Sequence, residues 1–436
     1  MRTALLIIVT GLCLSFPLSA QTAREEIAAD RNKAGGIYCL YAAPKDAPVP
    51  APKGFKPFYI SYFGRHGARH NLADPAVLLN WLDQAAAAGK LTPLGEEVRS
   101  RYTALYPQLK LREGDLTAVG TAQLEGIAGR MMGQYARVFQ KGRTVRAVSS
   151  TAPRCLLSMA AFLQGLRSSG WKGGISLDTG NAWMRTVAPH RKTNELYVQQ
   201  RGRIRTEDRA ACEADVQRLR DEIDAQAFLS RLFSDREWVR SLGDPHAIMN
   251  AFYSLAVSLP CTGLPADFYD LFTPEELYRE WQVENLRYYG YFGPSKYFGG
   301  TSWAIAAPAL EKIISDADED LRTGTTAARL RFGHDLGLMC LYSLLDLDGW
   351  RTVAADPHEV ADAWRSYRVP MAGNLQWIFY RNAAGDILVR LRVNEEDASL
   401  PVEPAVEGIF YRWEDLRAYC LARCSEARKR IEQMPL

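Results

Sequence analysis

The stretch FYISYFGRHGARH, residues 58–70, decides how the chain is read. Its first half is aromatic and β-branched and reads as a buried strand. The apolar run then stops at Gly64, Arg65, His66, Gly67, Ala68, Arg69 and His70. Six histidines are spread over the chain, and two of them stand here beside two arginines. In an open α/β sheet the carboxyl end of a strand faces the ligand crevice, so this placement marks a candidate site.

Working outward, strand-like and helical segments alternate. LTAVGTAQLEGIAGRMMGQYARVF is helical, with Leu124, Ile127, Ala128, Met131 and Tyr135 on one face. RTVRAVSS reads as a strand and APRCLLSMAAFLQGL as a helix, with Ser150 or Thr151 as cap and Pro153 in the first turn. AARLRFGHD is a further strand, and NLQWIFYRNAAGDILVRLRVN a hairpin turning at Asn382, Gly385 and Asp386. This alternation predicts an α/β fold, a mainly parallel sheet flanked by helices. The charged, helical segment around EDRAACEADVQRLRDEIDAQAFLSRLF interrupts it. The expected organisation is a signal peptide over 1–20, a core over 21–200 and 321–436, and a mostly helical insertion over 201–320. Residues 22–56 read as an irregular lead.

Two further strand ends carry unusual residues. VRAVSSTAPR leads to Arg154 in the first turn of a helix, and RLRFG runs into His334 and Asp335. Arg65, Arg69 and Arg154 have the forked donors that hold a phosphoryl group. A histidine among guanidinium groups resists protonation and stays a neutral nucleophile. His66 fits that part, His334 the part of a donor to the phosphoryl group, and Asp335 that of the acid for the leaving oxygen. The scheme needs no metal and no cofactor.

Composition narrows the remaining classes. A chain of 436 residues with 47% hydrophobic and 24% charged residues is an ordinary globular protein. A net charge of +3 is too small to argue for nucleic acid or an anionic membrane as a bulk partner, and neither is expected. The start, MRTALLIIVTGLCLSFPLSAQ, has one cationic residue, a short apolar run and small residues before a cut near Ala20, as in a secretory signal. A membrane anchor would need about 20 apolar residues. The mature protein is expected in the periplasm or outside the cell. Cys13 lies in the leader; Cys39, Cys155, Cys212, Cys261, Cys340, Cys420 and Cys424 are an odd number without CxxC spacing, so at least one is unpaired and a thiolate zinc site is disfavoured. His246 and His358 follow prolines and are expected on the surface, with His70 either at a pocket rim or in solvent. The cluster WMRTVAPHRKTNELYVQQRGRIR offers Arg185, His190, Arg191 and Lys192 as a rim for a polyanionic substrate, followed by Arg201, Arg203 and Arg205.

Taken together these motifs resemble the histidine phosphatase superfamily, in its acid phosphatase and phytase branch. The family's RHGxRxP motif matches Arg65, His66, Gly67 and Arg69, its His-Asp motif matches His334 and Asp335, and its third phosphate-binding arginine matches Arg154. GDLTAVGTAQ resembles the G-x-LT-x-x-G segment. NLQWIFYR with VRLRVNEEDASLP is similar to the closing part of multiple inositol polyphosphate phosphatases. The resemblance implies that His66 takes the phosphoryl group, that Asp335 protonates the leaving alcohol, and that inositol polyphosphates such as phytate are the substrate class. Two departures stand out. Asn71 occupies the proline position, and His334-Asp335 replaces the His-Ala-Glu of inositol polyphosphate phosphatases, which makes the donor one of the acid phosphatase type. A broad acid phosphatase or sugar phosphatase is the nearest alternative, and a non-catalytic phosphate-binding protein is one of another class.

Overall fold

Four parallel strands form one side of an eight-stranded sheet in the order β3-β2-β4-β1, and antiparallel strands extend it beyond β1. They are β1 (Lys56–Arg65), β2 (Thr144–Ser149), β3 (Gly174–Thr179) and β4 (Thr326–Gly333). The extension runs through β5 (Asn374–Arg381), β6 (Ile387–Val393) and β7 (Glu396–Asp397), with β8 (Phe410–Arg412) pairing β6. The computed structural model describes residues 21–46, 48–406 and 408–435. The predicted signal segment lies outside the described residues.

Strand alternation sorts the core. Ile60 and Tyr62 of β1, Leu330 and Phe332 of β4 and Ile378 and Tyr380 of β5 face helices α1 (Ala118–Gln134) and α2 (Pro153–Ser168). Tyr59 and Phe63 with Trp377 and Phe379 face the opposite layer. A second apolar core forms away from the sheet, where Leu78, Val98 and Tyr102 meet Phe228, Phe252 and Trp281. Its helices include α3 (Pro245–Ser258) and α4 (Pro274–Phe292). α5 (Ala307–Thr323) returns the chain to the sheet, α6 (Asp335–Leu345) follows β4, and α7 (Trp413–Glu432) closes the layer. No helix of the described residues is long and apolar enough to cross a membrane.

β3 is an exposed edge strand whose short GISLDT pattern carries little burial signal. Three local expectations change. The lead is irregular only beyond Tyr38: Thr22 and Glu25 form a reciprocal capping box that starts a helix over Ala23–Ala29, and a 3-10 segment follows over Arg31–Tyr38. The cap of α2 is Ala152, without a side-chain bond, and the Ser150 hydroxyl two residues earlier lies 3.1 Å from His334 Nε2 and accepts from the Ala152 amide at 3.4 Å. His246 lies in the first turn of α3, its Nε2 3.3 Å from Oε1 of the fully buried Glu280, while His358 is exposed as expected. All seven cysteines of the described residues are buried and unpaired.

β4 alternates arginine with apolar residues, and its polar face is covered by α5 rather than by water. Arg329 Nη1 and Arg331 Nη2 lie 2.6 and 2.5 Å from the two oxygens of Asp316, and Arg329 Nε lies 2.8 Å from Asp320. Removing one partner of such a buried set leaves charge uncompensated, at a cost of about 3–5 kcal/mol. Asp316→Ala is expected to lower the unfolding free energy by about that amount in urea titrations. A loss below about 1 kcal/mol would show that Asp320 alone holds both arginines.

Candidate active site

Register brings the three strand ends side by side. Arg65 of β1 pairs across from Gly333 of β4, and Ser149 of β2 from Phe332. His66, His334 and Ser150 therefore leave the sheet at one level. The His66 amide donates to the Gly333 carbonyl at 3.1 Å, Ala372 N donates to the His66 carbonyl at 2.9 Å, and the Arg65 amide donates to Gly373 at 2.8 Å. A loop fixed at so many points does not need regular structure to be rigid.

The RHG glycine is explained by α1. A Cβ on Gly67 would sit 2.4 Å from the Gly120 carbonyl oxygen, so the loop and the first turn of α1 touch backbone to backbone. Thr117 caps that turn, its hydroxyl bonding the Ala68 and Cys261 carbonyls at 3.1 and 2.7 Å. This contact is the physical content of the LT-x-x-G segment.

Arg65 is wholly buried. Its Nη1 donates to the carbonyls of Ile37, at 2.5 Å, and Val369, at 3.0 Å, and Nη2 lies 2.8 Å from Asp335 Oδ2. Arg69 Nη1 donates to Tyr38 Oη and to the His70 carbonyl, both at 2.9 Å. The Nε groups of Arg65, Arg69 and Arg154 are all buried without a hydrogen-bond partner among the described residues. Buried guanidinium donors left unmatched carry a desolvation penalty, and three near one another suit an oxyanion.

The histidines are held neutral. Nδ1 of His66 lies 2.9 Å from the Gly67 carbonyl oxygen, which can only accept, so Nδ1 carries the proton and Nε2 keeps its lone pair. Burial, then Arg65 and Arg69, holds His66 well below the usual imidazole range. His334 has its ring centre 5.8 Å from that of His66 and its Nε2 3.1 Å from Ser150 Oγ. Burial and His190 push it down to about 3. Burial alone would raise the Asp335 carboxyl, but Arg65, His334 and Arg69 outweigh it and lower it. As the first residue of α6, Asp335 is also favoured as an anion by the helix dipole.

The basic cluster divides. His190 joins the site, with its ring 5.4 Å from His334, and burial and Arg191 push it down to about 4. Arg191 is exposed and its charge reaches both histidines. Lys192 is exposed, and Arg185 lines a separate groove with Asn194, Glu311 and Arg428. Arg201 stacks on Tyr197 and Tyr291, Arg203 holds the carbonyls of Glu432 and Met434, and Arg205 pairs with Asp208. His70 is buried and lines an apolar cavity with Leu78, Tyr102 and Leu255. The sequence reading did not find Ile37, Tyr38 or the Ser150–His334 contact; all three depend on partners at least 28 residues away.

Residues 64–394 match the family model described as histidine phosphatase superfamily (branch 2). Among solved structures the fold is similar to that of Bifidobacterium longum multiple inositol polyphosphate phosphatase in complex with phosphate, with a TM-score of 0.76 and 18% identity, covering 90% of this chain and 98% of that one. The inositol hexasulfate complex of the same protein gives a TM-score of 0.74 and 18% identity over 88% of this chain and 97% of that one. The phytase from D. castellii gives 0.63 and 16% over 94% and 88%. No curated protein sequence matches the chain.

The depressed histidines fix the sign of acid sensitivity. An unfolded histidine takes up its proton near pH 6.5, whereas His190 and His334 in the folded protein do so only near 4 and 3. Between those limits the unfolded state binds more protons, so the stability present above about pH 6.5 is lost as pH falls. The Asp335 contribution is lost later, below about pH 3.8. His190→Gln is expected to flatten the fall of unfolding temperature between pH 6.5 and 4.5 relative to wild type. Parallel curves would mean that His190 does not carry this linkage.

Proposed function

We propose, from the premise that the chain belongs to branch 2 of the histidine phosphatase superfamily, that it hydrolyses phosphate monoesters through a phosphohistidine on His66, with inositol polyphosphates as substrates. The observation that carries the reading is the convergence of three buried, unmatched guanidinium Nε donors beside an imidazole whose Nε2 lone pair is unprotonated. The similarity in fold to an inositol polyphosphate phosphatase and a phytase supports the substrate class.

In this mechanism Arg65, Arg69 and Arg154 hold the non-bridging oxygens, and His334 donates to one of them. His66 Nε2 attacks phosphorus in line, and the P–O bond to the leaving alcohol breaks. Nδ1 keeps its proton on the Gly67 carbonyl, which stabilises the positive charge that develops on the ring. Asp335 donates its proton to the leaving oxygen. In the unliganded protein Arg65 keeps this acid ionised; a phosphoryl dianion on the same guanidinium offsets that charge and raises the acid's proton affinity. Water then cleaves the phosphohistidine, and Asp335 takes back a proton. Because guanidinium groups supply the counter-charge, no metal is required. The helices over 201–320 are assigned as a cap, with Arg191 meeting phosphates beyond the one cleaved, and the leader as an export signal to the periplasm or medium.

Phosphate release from phytate, glucose 1-phosphate and p-nitrophenyl phosphate tests the substrate class. A clear preference for phytate is expected; equal rates on all three would favour a broad acid phosphatase, and no release a binding protein. His66→Ala is expected to abolish turnover and the acid-labile phosphoenzyme trapped from wild type, and near-normal turnover would remove His66 from the reaction. Asp335→Asn is expected to slow esters of poor leaving groups by about 10²–10⁴ while affecting an aryl phosphate less. Equal losses on both esters would mean that Asp335 only shapes the pocket.

A further inference from the structure

Asn71 departs from the proline of the family motif, and its side chain does something proline cannot. Nδ2 donates to Ser254 Oγ at 2.7 Å, to the Ser254 carbonyl at 3.2 Å and to Ser258 Oγ at 3.1 Å, all on α3. Oδ1 accepts from the Ala73 amide and from the Tyr38 hydroxyl, each at 3.1 Å. The Tyr38 hydroxyl in turn accepts from Arg69 Nη1 at 2.9 Å, and the guanidinium carbon lies 4.8 Å from the centre of the Tyr38 ring. A continuous chain of hydrogen bonds thus runs from α3 through Asn71 and Tyr38 to a phosphate-binding arginine.

The geometry points to Tyr38 as a positioning residue that sets the orientation of Arg69, with Asn71 coupling that orientation to α3. This inference rests on the phosphatase reading of the site. Nη1 of Arg69 carries two hydrogens, and both are committed, to Tyr38 and to the His70 carbonyl. The Nε–H is buried and unmatched among the described residues. The plane of the guanidinium is therefore fixed by Nη1 and the Tyr38 ring, and the edge bearing Nε is left for a phosphoryl oxygen. The tyrosine is placed by Gly36, whose φ of 53° turns the 3-10 segment just before Ile37 and Tyr38. The same turn presents the Ile37 carbonyl to Arg65, so one short N-terminal segment orients both arginines of the motif.

Tyr38→Phe keeps the ring under the guanidinium and removes only the hydroxyl. Releasing one long side chain from a fixed orientation weakens binding by about two- to tenfold. The Ki of inorganic phosphate as a competitive inhibitor, and KM for p-nitrophenyl phosphate, are expected to rise together by that factor, with cooperative unfolding retained and kcat altered less. Asn71→Ala, which acts from the other end of the chain, is expected to raise Ki in the same direction, and the double variant by less than the product of the two. An unchanged Ki in Tyr38→Phe overturns the inference whatever Asn71→Ala does, and multiplicative effects overturn the coupling to α3. Both outcomes leave the phosphatase reading in place. A wild-type protein that neither releases nor binds phosphate overturns both.

Discussion

A guanidinium with no exposed surface, at the last position of the central strand, is the constraint on which the rest of the site depends. Arg65 leaves β1 where the sheet ends, and water cannot reach its charge. Burying it is tolerable only because the Ile37 and Val369 carbonyls and the Asp335 carboxylate surround it. Those three partners come from the N-terminal segment, from the approach to β5, and from the start of α6. Satisfying one charge therefore brings three distant parts of the chain to the end of β1, with His66 next in sequence.

The electrostatic character of the site follows. His66 shares its pocket with Arg65, Arg69 and Arg154, and both burial and that positive charge keep it unprotonated. His190 and Arg154 disfavour the protonation of His334 in the same way, and Arg191 and Arg154 that of His190. The Asp335 carboxylate opposes this at His334 and His190, and its own proton affinity is lowered by Arg65, His334 and Arg69. The protein carries a local positive field despite a net charge of only +3. Such a field is costly to the folded protein, and a bound phosphoryl group relieves it. Proton affinity, stability and ligand binding are thus linked through the same few side chains.

Much of this was legible because strand ends are local features. An apolar run that stops at Gly-Arg-His, or at Gly-His-Asp, announces both a strand and what it presents, and β1, β4 and the β5–β6 hairpin lie where their patterns put them. The helical face of Leu124, Ile127, Ala128 and Met131 is buried as its spacing predicts. What was hidden is what depends on long-range pairing. Nothing in the AARLRFGHD strand pattern announces that Arg329 and Arg331 meet Asp316 of α5. Tyr38 looked like part of a loose lead, and only the capping box of Thr22 and Glu25 carried a local sign of order there. Ser150 reads as a helix cap, and its hydroxyl also meets His334, 184 residues away. The basic run shows the same limit: it gives the number of cationic residues but not their direction, and His190 lies against His334 while Arg185 lines a groove with Asn194 and Glu311.

The substitution of Asn71 for proline shows how a rigid loop can be made in two ways. Proline stiffens by removing a dihedral freedom, and that stiffness is present wherever the rest of the molecule happens to be. Asn71 stiffens by hydrogen bonds to α3 and to Tyr38, so its effect lasts only while those partners are in place. Stiffness obtained in this way is conditional. A shift of α3 against the sheet would be felt at Asn71, then at Tyr38, and so at the arginine whose Nε faces the phosphoryl group in the proposed reaction. Proline at this position would make the loop rigid but leave it uninformed about α3, whereas asparagine, in the proposed reaction, ties the grip on phosphate to the position of the helical layer above it.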